Sequence, residues 1–198
     1  MKTKKIVDII KKQGLLLALV ALVILVWIIN PRFGTTSNLI NILRQCSINA
    51  LLAAAIMFII AHGEIDLSVG SVMALSGVFA AGFAVKYSTA TGLIAGVLLG
   101  ALVGLFNGLV INYVSLPSFI ITLATMTIAR GFSFIYTQGV AITGLPESFC
   151  YLGNGNIGPI PFIIISTLVM LIILDVIFRK TKFGRYTLAI GDNREAAR

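Results

Sequence analysis

The chain has 198 residues, 58% of them hydrophobic and only 11% charged, with a formal net charge of +8, and its mean hydropathy is +1.03. Soluble chains carry about 25% charged residues, so too little polar surface exists here to cover a water-exposed globule. The positive charge does not point to nucleic acid either, because eleven of the fifteen Lys and Arg flank the apolar body: Lys2, Lys4, Lys5, Lys11 and Lys12 at one end, Arg179, Lys180, Lys182, Arg185, Arg194 and Arg198 at the other. Such flanks are membrane orientation signals, and no aromatic-interleaved basic patch accompanies them.

A membrane-spanning helix needs about 20 mostly apolar residues. Six segments qualify or nearly qualify: 14–30, 46–63, 70–86, 91–113, 118–137 and 160–178. The expected fold is therefore all-α, a polytopic transmembrane helical bundle of about six spans. The first run, Leu15 to Ile29, follows a basic start as a signal peptide does. It ends in Trp27-Ile28-Ile29-Asn30-Pro31 without a small-x-small cleavage site, and so reads as a retained span. With the N-terminal lysines in the cytoplasm, six crossings return the chain to the cytoplasm near Arg179, the first of six Lys and Arg in the last twenty residues. The outer segments carry only Arg32, Arg44 and Lys86. Both ends then obey the positive-inside rule, which an odd number of spans would break.

Between the first two spans, Asn38, Asn41, Gln45 and Asn49 recur at near-helical spacing. A short interfacial helix is expected there, capped by Ser37 or Asn38. Between the second and third spans lies Gly63-Glu64-Ile65-Asp66-Leu67-Ser68-Val69-Gly70-Ser71, with two carboxylates at a place where charge is costly unless paired or wet. Two readings stand level: an unwound hinge beside a pathway, with Glu64, Asp66, Ser68 and Gly70 as its residues, or an ordinary cytoplasmic turn.

The fourth span carries Gly92, Gly96, Gly100, Gly104 and Gly108 at four-residue spacing. Such a ridge lets a neighbouring backbone approach closely, and tight helix packing is favoured here over a sliding surface. In the fifth span, Thr122, Thr125, Arg130, Ser133, Tyr136 and Thr137 fall within an arc of roughly 140° at 100° per residue. A polar stripe faces either a water-filled route or a neighbouring helix. Asp175 and Arg179, four residues apart, form a local pair. In the outer segment 138–161, one or two helical turns are expected over Pro146 to Leu152, with Pro146 at the first helical position and Gly153 just past the end.

No phosphate-binding G-x-x-x-x-G-K-[ST] loop occurs, nor H-E-x-x-H, G-x-S-x-G or C-x-x-C. His62 is the one histidine, and Cys46 and Cys150 are isolated, so neither a metal site nor a disulfide framework is expected. No catalytic residue and no bound cofactor is expected of this chain.

Three stretches in order resemble a known family. They are Gly63–Ser71 as written above; Pro117-Ser118-Phe119-Ile120-Ile121-Thr122-Leu123 running to Ala129-Arg130-Gly131 and Tyr136-Thr137-Gln138-Gly139; and Thr181-Lys182-Phe183-Gly184-Arg185-Tyr186 with Ala189-Ile190-Gly191-Asp192-Asn193 and Glu195-Ala196-Ala197-Arg198. Together they resemble the membrane permease of sugar ABC importers of the ribose, xylose, arabinose and galactose type, over nearly the whole chain. The resemblance implies a second permease subunit as partner, expected as a homodimer. It also implies a periplasmic sugar-binding protein and a separate cytoplasmic ATPase that uses the ATP. It places the chain in the inner membrane as a multi-pass protein. It assigns Gly184, Arg185, Asn193, Glu195, Ala196 and Ala197 to an ATPase-docking loop over residues 179–198. Glu64 departs from the family, which commonly has glycine there. Family members also continue beyond the docking motif, so the chain is expected to be one transmembrane permease domain, 1–198, incomplete at its C-terminus. The rivals are a permease of the branched-chain amino-acid type and a truncated subunit that does not transport.

Overall fold

The computed structural model describes residues 2–114 and 116–193, with side chains from Gln13 onward. The chain divides into two units, Met1–Gln45 and Cys46–Arg198.

The first unit holds helix α1, Lys2–Ile29, a 3-10 turn over Pro31–Gly34, and the start of α2, Thr36–Ala61. The α1 backbone leaves helical geometry at Gln13, beside Gly14, and its apolar part is Gln13–Ile29. Asn30 ends the helix and starts the turn: its side-chain oxygen accepts the Arg32 N–H at 3.1 Å. Gly34 lies against the Trp27 indole, where a Cβ would collide with the ring.

The separate interfacial helix expected before the second span is absent. α2 runs unbroken for 26 residues, because Thr36–Ala61 contains neither proline nor glycine to interrupt helical backbone. Its cap also differs from expectation. Thr35, rather than Ser37 or Asn38, offers the hydroxyl oxygen, accepting the Asn38 N–H at 3.4 Å.

The second unit contains the rest of α2 and α3, Val69–Lys86; α4, Thr89–Val114; α5, Ser118–Thr137; α6, Glu147–Asn154; α7, Phe162–Lys180; and α8, Lys182–Asp192. Strands β1, Asn156–Ile157, and β2, Ile160–Pro161, form a small antiparallel hairpin before α7. Among the described residues five helices are long and apolar enough to cross a membrane: α2, α3, α4, α5 and α7. With the apolar part of α1, they account for the six expected segments. The helix expected over Pro146 to Leu152 starts one residue later, with Pro146 as its cap residue, and extends past Gly153 to Asn154.

The interior of this unit is built from small and hydroxyl-bearing side chains. The buried hydrophobic residues are Leu75, Ala80, Ala84 and Ala129, whereas Ser68, Ser71, Asn107, Ser118, Thr122 and Thr125 are buried polar ones. Large side chains such as Leu102, Phe106, Ile128 and Phe132 point outward. In lipid no hydrophobic force drives helices together, so close backbone packing and interhelical hydrogen bonds hold them, while bulky apolar groups face the acyl chains. α3 and α4 form the tightest pair. Gly92 lies against Ala80 and Ala84, Gly96 against Ala80 and Ser76, and Gly100 against Ser76, so the two helices run antiparallel with their backbones close.

Candidate functional site

α2 ends in a Schellman turn. Gly63 adopts φ +84°, its N–H donates to the Ile60 carbonyl at 2.9 Å, and the Glu64 N–H reaches back to the Ile59 carbonyl at 3.1 Å. This arrangement requires a left-handed residue, which glycine supplies without steric strain. The chain then runs outside regular secondary structure from Glu64 to Ser68, with a bend at Leu67, and α3 starts at Val69.

Backbone outside a helix leaves amides unpaired, and inside a membrane they need partners within the protein. α5 supplies them. The Ile65 N–H donates to Ser118 Oγ at 3.1 Å, and the Leu67 N–H to Thr122 Oγ1 at 3.1 Å. Ser118 and Thr122 stand one turn apart on α5, about 6 Å for four residues, so their hydroxyls meet alternate amides of the break. Thr122 in turn donates to the Ser118 carbonyl of its own helix at 2.9 Å.

The break ends on a buried polar chain. The Ser68 N–H and hydroxyl both donate to Asp66 Oδ1, at 2.7 and 2.6 Å. Asn107 of α4 donates through Nδ2 to Ser68 Oγ at 3.2 Å and accepts the Thr125 hydroxyl at 2.6 Å. Ser68 and Thr122 are 1% exposed and Asn107 is 5% exposed. Thr125 lies seven residues, about 10 Å, along α5 from Ser118, so the polar chain reaches well along that helix. The Asp66 carboxylate beside the first turn of α3 favours the positive end of that helix. One turn further on, Arg130 Nε donates to Ser71 Oγ at 3.2 Å, while the rest of the Arg130 side chain is exposed.

The expected residues thus fall into distinct places. Asp66, Ser68 and Thr125 meet in one network through Asn107, Thr122 holds the Leu67 amide beside it, and Arg130 joins α5 to α3 through Ser71. Glu64 is half-buried at the α2 turn, and Gly70 has open space around it. Ser133 bonds the Ala129 carbonyl within α5, and Tyr136 stacks on Phe79 with ring centroids 4.5 Å apart. Of the glycine ridge, Gly92, Gly96 and Gly100 meet α3, while Gly104 and Gly108 have nothing within 4 Å. Asn107, Ser71 and Ser118 were not singled out by sequence reasoning. An asparagine between Phe106 and Gly108 inside an apolar run was the available signal for the first of them.

The third family motif forms helix α8. Thr181 caps it, accepting the Gly184 N–H at 3.4 Å. Gly184 is buried against the backbone of Phe178, and Arg185 and Asn193 are exposed. Residues Glu195, Ala196 and Ala197 lie outside the described residues. The inner face of α8 rests on the end of α2: Gly191 lies directly on the Ala61 carbonyl, and its Cα is 3.7 Å from where a Gly63 Cβ would stand. Phe58 packs edge-on to Phe178 at 5.1 Å and near Phe183 at 6.1 Å. Among the described residues no cluster of three His, Cys, Asp or Glu side chains is placed to hold a metal ion.

Comparison with known proteins bears on the same segments. The chain is 45% identical over 192 residues to the ribose import permease protein RbsC of Bacillus subtilis (strain 168), covering 96% of this chain and 60% of that protein. It is 42% identical over 188 residues to the L-arabinose transport system permease protein AraH of Escherichia coli (strain K12), covering 94% and 57%. To the ribose import permease protein RbsC of Haemophilus influenzae it is 36% identical, covering 93% and 59%. The chain therefore spans a little under two thirds of the length of these relatives. No solved structure matches it. Residues 38–198, which include the α2 break, the α5 ladder and α8, match the family described as branched-chain amino acid transport system, permease component, and the chain belongs to that family of membrane permeases.

Proposed function

We propose that the chain is part of the membrane permease of an ATP-driven importer for a monosaccharide such as ribose. The observation that carries this reading is the 45% and 42% identity to ribose and arabinose permeases across nearly the whole chain. Sugar is favoured over branched-chain amino acids because the relatives named above are sugar permeases, although the family description is the broader one.

In this reading the chain makes no covalent chemistry and holds no cofactor. A partner ATPase uses the ATP, a periplasmic binding protein delivers the sugar, and a second permease copy completes the path. The chain lies in the inner membrane with its N-terminus and α8 on the cytoplasmic side. Asp66, Ser68 and the α5 stripe stand beside the route, and the exposed face of α8 meets the ATPase. The mechanism is a change between inward-open and outward-open arrangements of the spans, biased by ATP-driven movement of the partner.

The test is uptake of labelled ribose, arabinose and leucine by cells that lack their own high-affinity systems and express the complete permease with its binding protein and ATPase. Saturable sugar uptake without leucine uptake is expected. Leucine uptake alone would overturn the reading.

A further inference from the structure

We infer that residues 2–12 form an interfacial helix that lies along the membrane surface and binds the anionic headgroups of the lipids there. The inference goes beyond the permease reading and does not depend on which solute is carried.

The basic segment stops where the apolar one begins. Within α1 the apolar helix is Gln13–Ile29. Its length is about 25 Å, against about 30 Å of hydrocarbon, so the span has no apolar residues to spare. Trp27 near its far end, with Asn30 and Pro31 beyond, marks the opposite boundary. The covalent link to this span holds residues 2–12 at the level of the headgroups.

The backbone gives that segment a direction of its own. α1 leaves helical geometry at Gln13, with φ −126° and ψ 20°. Gly14 follows, and glycine is a weak helix former. Nothing among the described residues lies within 4 Å of where a Gly14 Cβ would stand, so no neighbouring element imposes the break. A straight helix of 28 residues would reach about 42 Å and carry the lysines out into water. A break between the last lysine and the first apolar turn lets the basic helix lie flat instead.

The residues on that helix are sorted by face. At 100° per residue, Lys11, Lys4, Asp8, Lys12 and Lys5 fall within an arc of about 120°. Ile9, Ile6, Ile10 and Val7 fall within an opposite arc of about 160°, and no residue from 4 to 12 is out of place. A basic face set against an aliphatic one is the pattern of a helix lying in the interface plane. An orientation signal needs lysines on this flank but not their sorting by face. Lys2, Lys4, Lys5, Lys11 and Lys12 stand against Asp8 alone, a charge complementary to an anionic lipid surface.

The test uses the complete permease in nanodiscs of phosphatidylcholine, with or without phosphatidylglycerol. Single cysteines replace each residue from 4 to 12 in turn, in a background without other cysteines, and carry a nitroxide. The two leaflets of a disc are alike, so the outcome does not depend on which side the N-terminus faces. In anionic discs the ratio of oxygen to nickel-chelate accessibility is expected to follow the helical period. It should be at least threefold higher at Ile6, Ile9 and Ile10 than at Lys4, Asp8 and Lys11. Neutral lipid or high salt should reduce that contrast at least twofold, as should Lys5→Gln combined with Lys12→Gln. Uniform aqueous accessibility in anionic discs would overturn the inference, and so would a contrast of equal size in neutral discs. Should the double lysine variant not insert, the salt titration with both lysines in place decides alone. Uptake is no part of the readout, so failure of the sugar reading leaves this test intact.

Discussion

The Thr125 hydroxyl donates to the Asn107 side-chain carbonyl across 2.6 Å, and both residues are buried between α5 and α4. The same Asn107 donates to Ser68, so one asparagine joins three helical elements at the point where α3 begins. Thr125→Val keeps the shape but leaves the Asn107 oxygen without this donor. A loss of about 1 kcal/mol is expected, since interhelical hydrogen bonds in membranes are worth roughly that or less. Reversible unfolding in mixed micelles measures it. The double variant with Asn107→Leu should cost less than the sum of the singles, because the two residues share one bond.

The α5 ladder makes a second expectation. Thr122→Val removes the acceptor for the Leu67 amide, and Ser118→Ala that for Ile65. Exchange of those two amides with deuterium should speed up by about tenfold, while amides in the middle of α3 keep their protection. Thr122→Ser retains the oxygen and should restore slow exchange. Equal exchange in Thr122→Val and the unsubstituted chain would show that the amide has another partner.

The glycines of α4 should not be equivalent. Gly92 and Gly96 face the α3 backbone, whereas Gly104 and Gly108 face open space. Gly96→Leu forces the helices apart and is expected to cost about 2 kcal/mol, as overpacking does. Gly104→Leu should leave stability within about 0.5 kcal/mol or raise it slightly, through better helix propensity. Parallel unfolding curves for the two variants check this.

Gly63→Ala should destabilise the end of α2 by about 1 kcal/mol, because a Cβ is unfavourable at φ +84°. By contrast, Asp175→Ala should change stability by less than about 0.5 kcal/mol. Its bond to Arg179 is short, at 2.6 Å, but the two side chains are 58% and 71% exposed, and exposed pairs contribute little.

The six apolar segments follow from composition and length alone, since the hydrocarbon thickness sets how many apolar residues a span needs. The glycine ridge and the polar stripe were likewise visible as residue types at fixed spacing. What spacing could not supply was a partner. The stripe of α5 offered two readings, a water-filled route or a neighbouring helix. In the fold Thr122 and Thr125 turn toward the break and α4, and Arg130 toward Ser71. Asn107 and Ser118 gained their meaning only once α4, α5 and the break between α2 and α3 stood side by side.

Local sequence thus determined where the chain is apolar, where it can turn and which of its ends are basic, because those properties belong to single residues and their near neighbours. Tertiary structure alone decided that the ridge is used at Gly92, Gly96 and Gly100 and not at Gly104 or Gly108. It likewise brought Gly191 onto Ala61, 130 positions away along the chain. Such contacts depend on how helices cross, and crossing is set by the summed packing of many side chains rather than by any one motif.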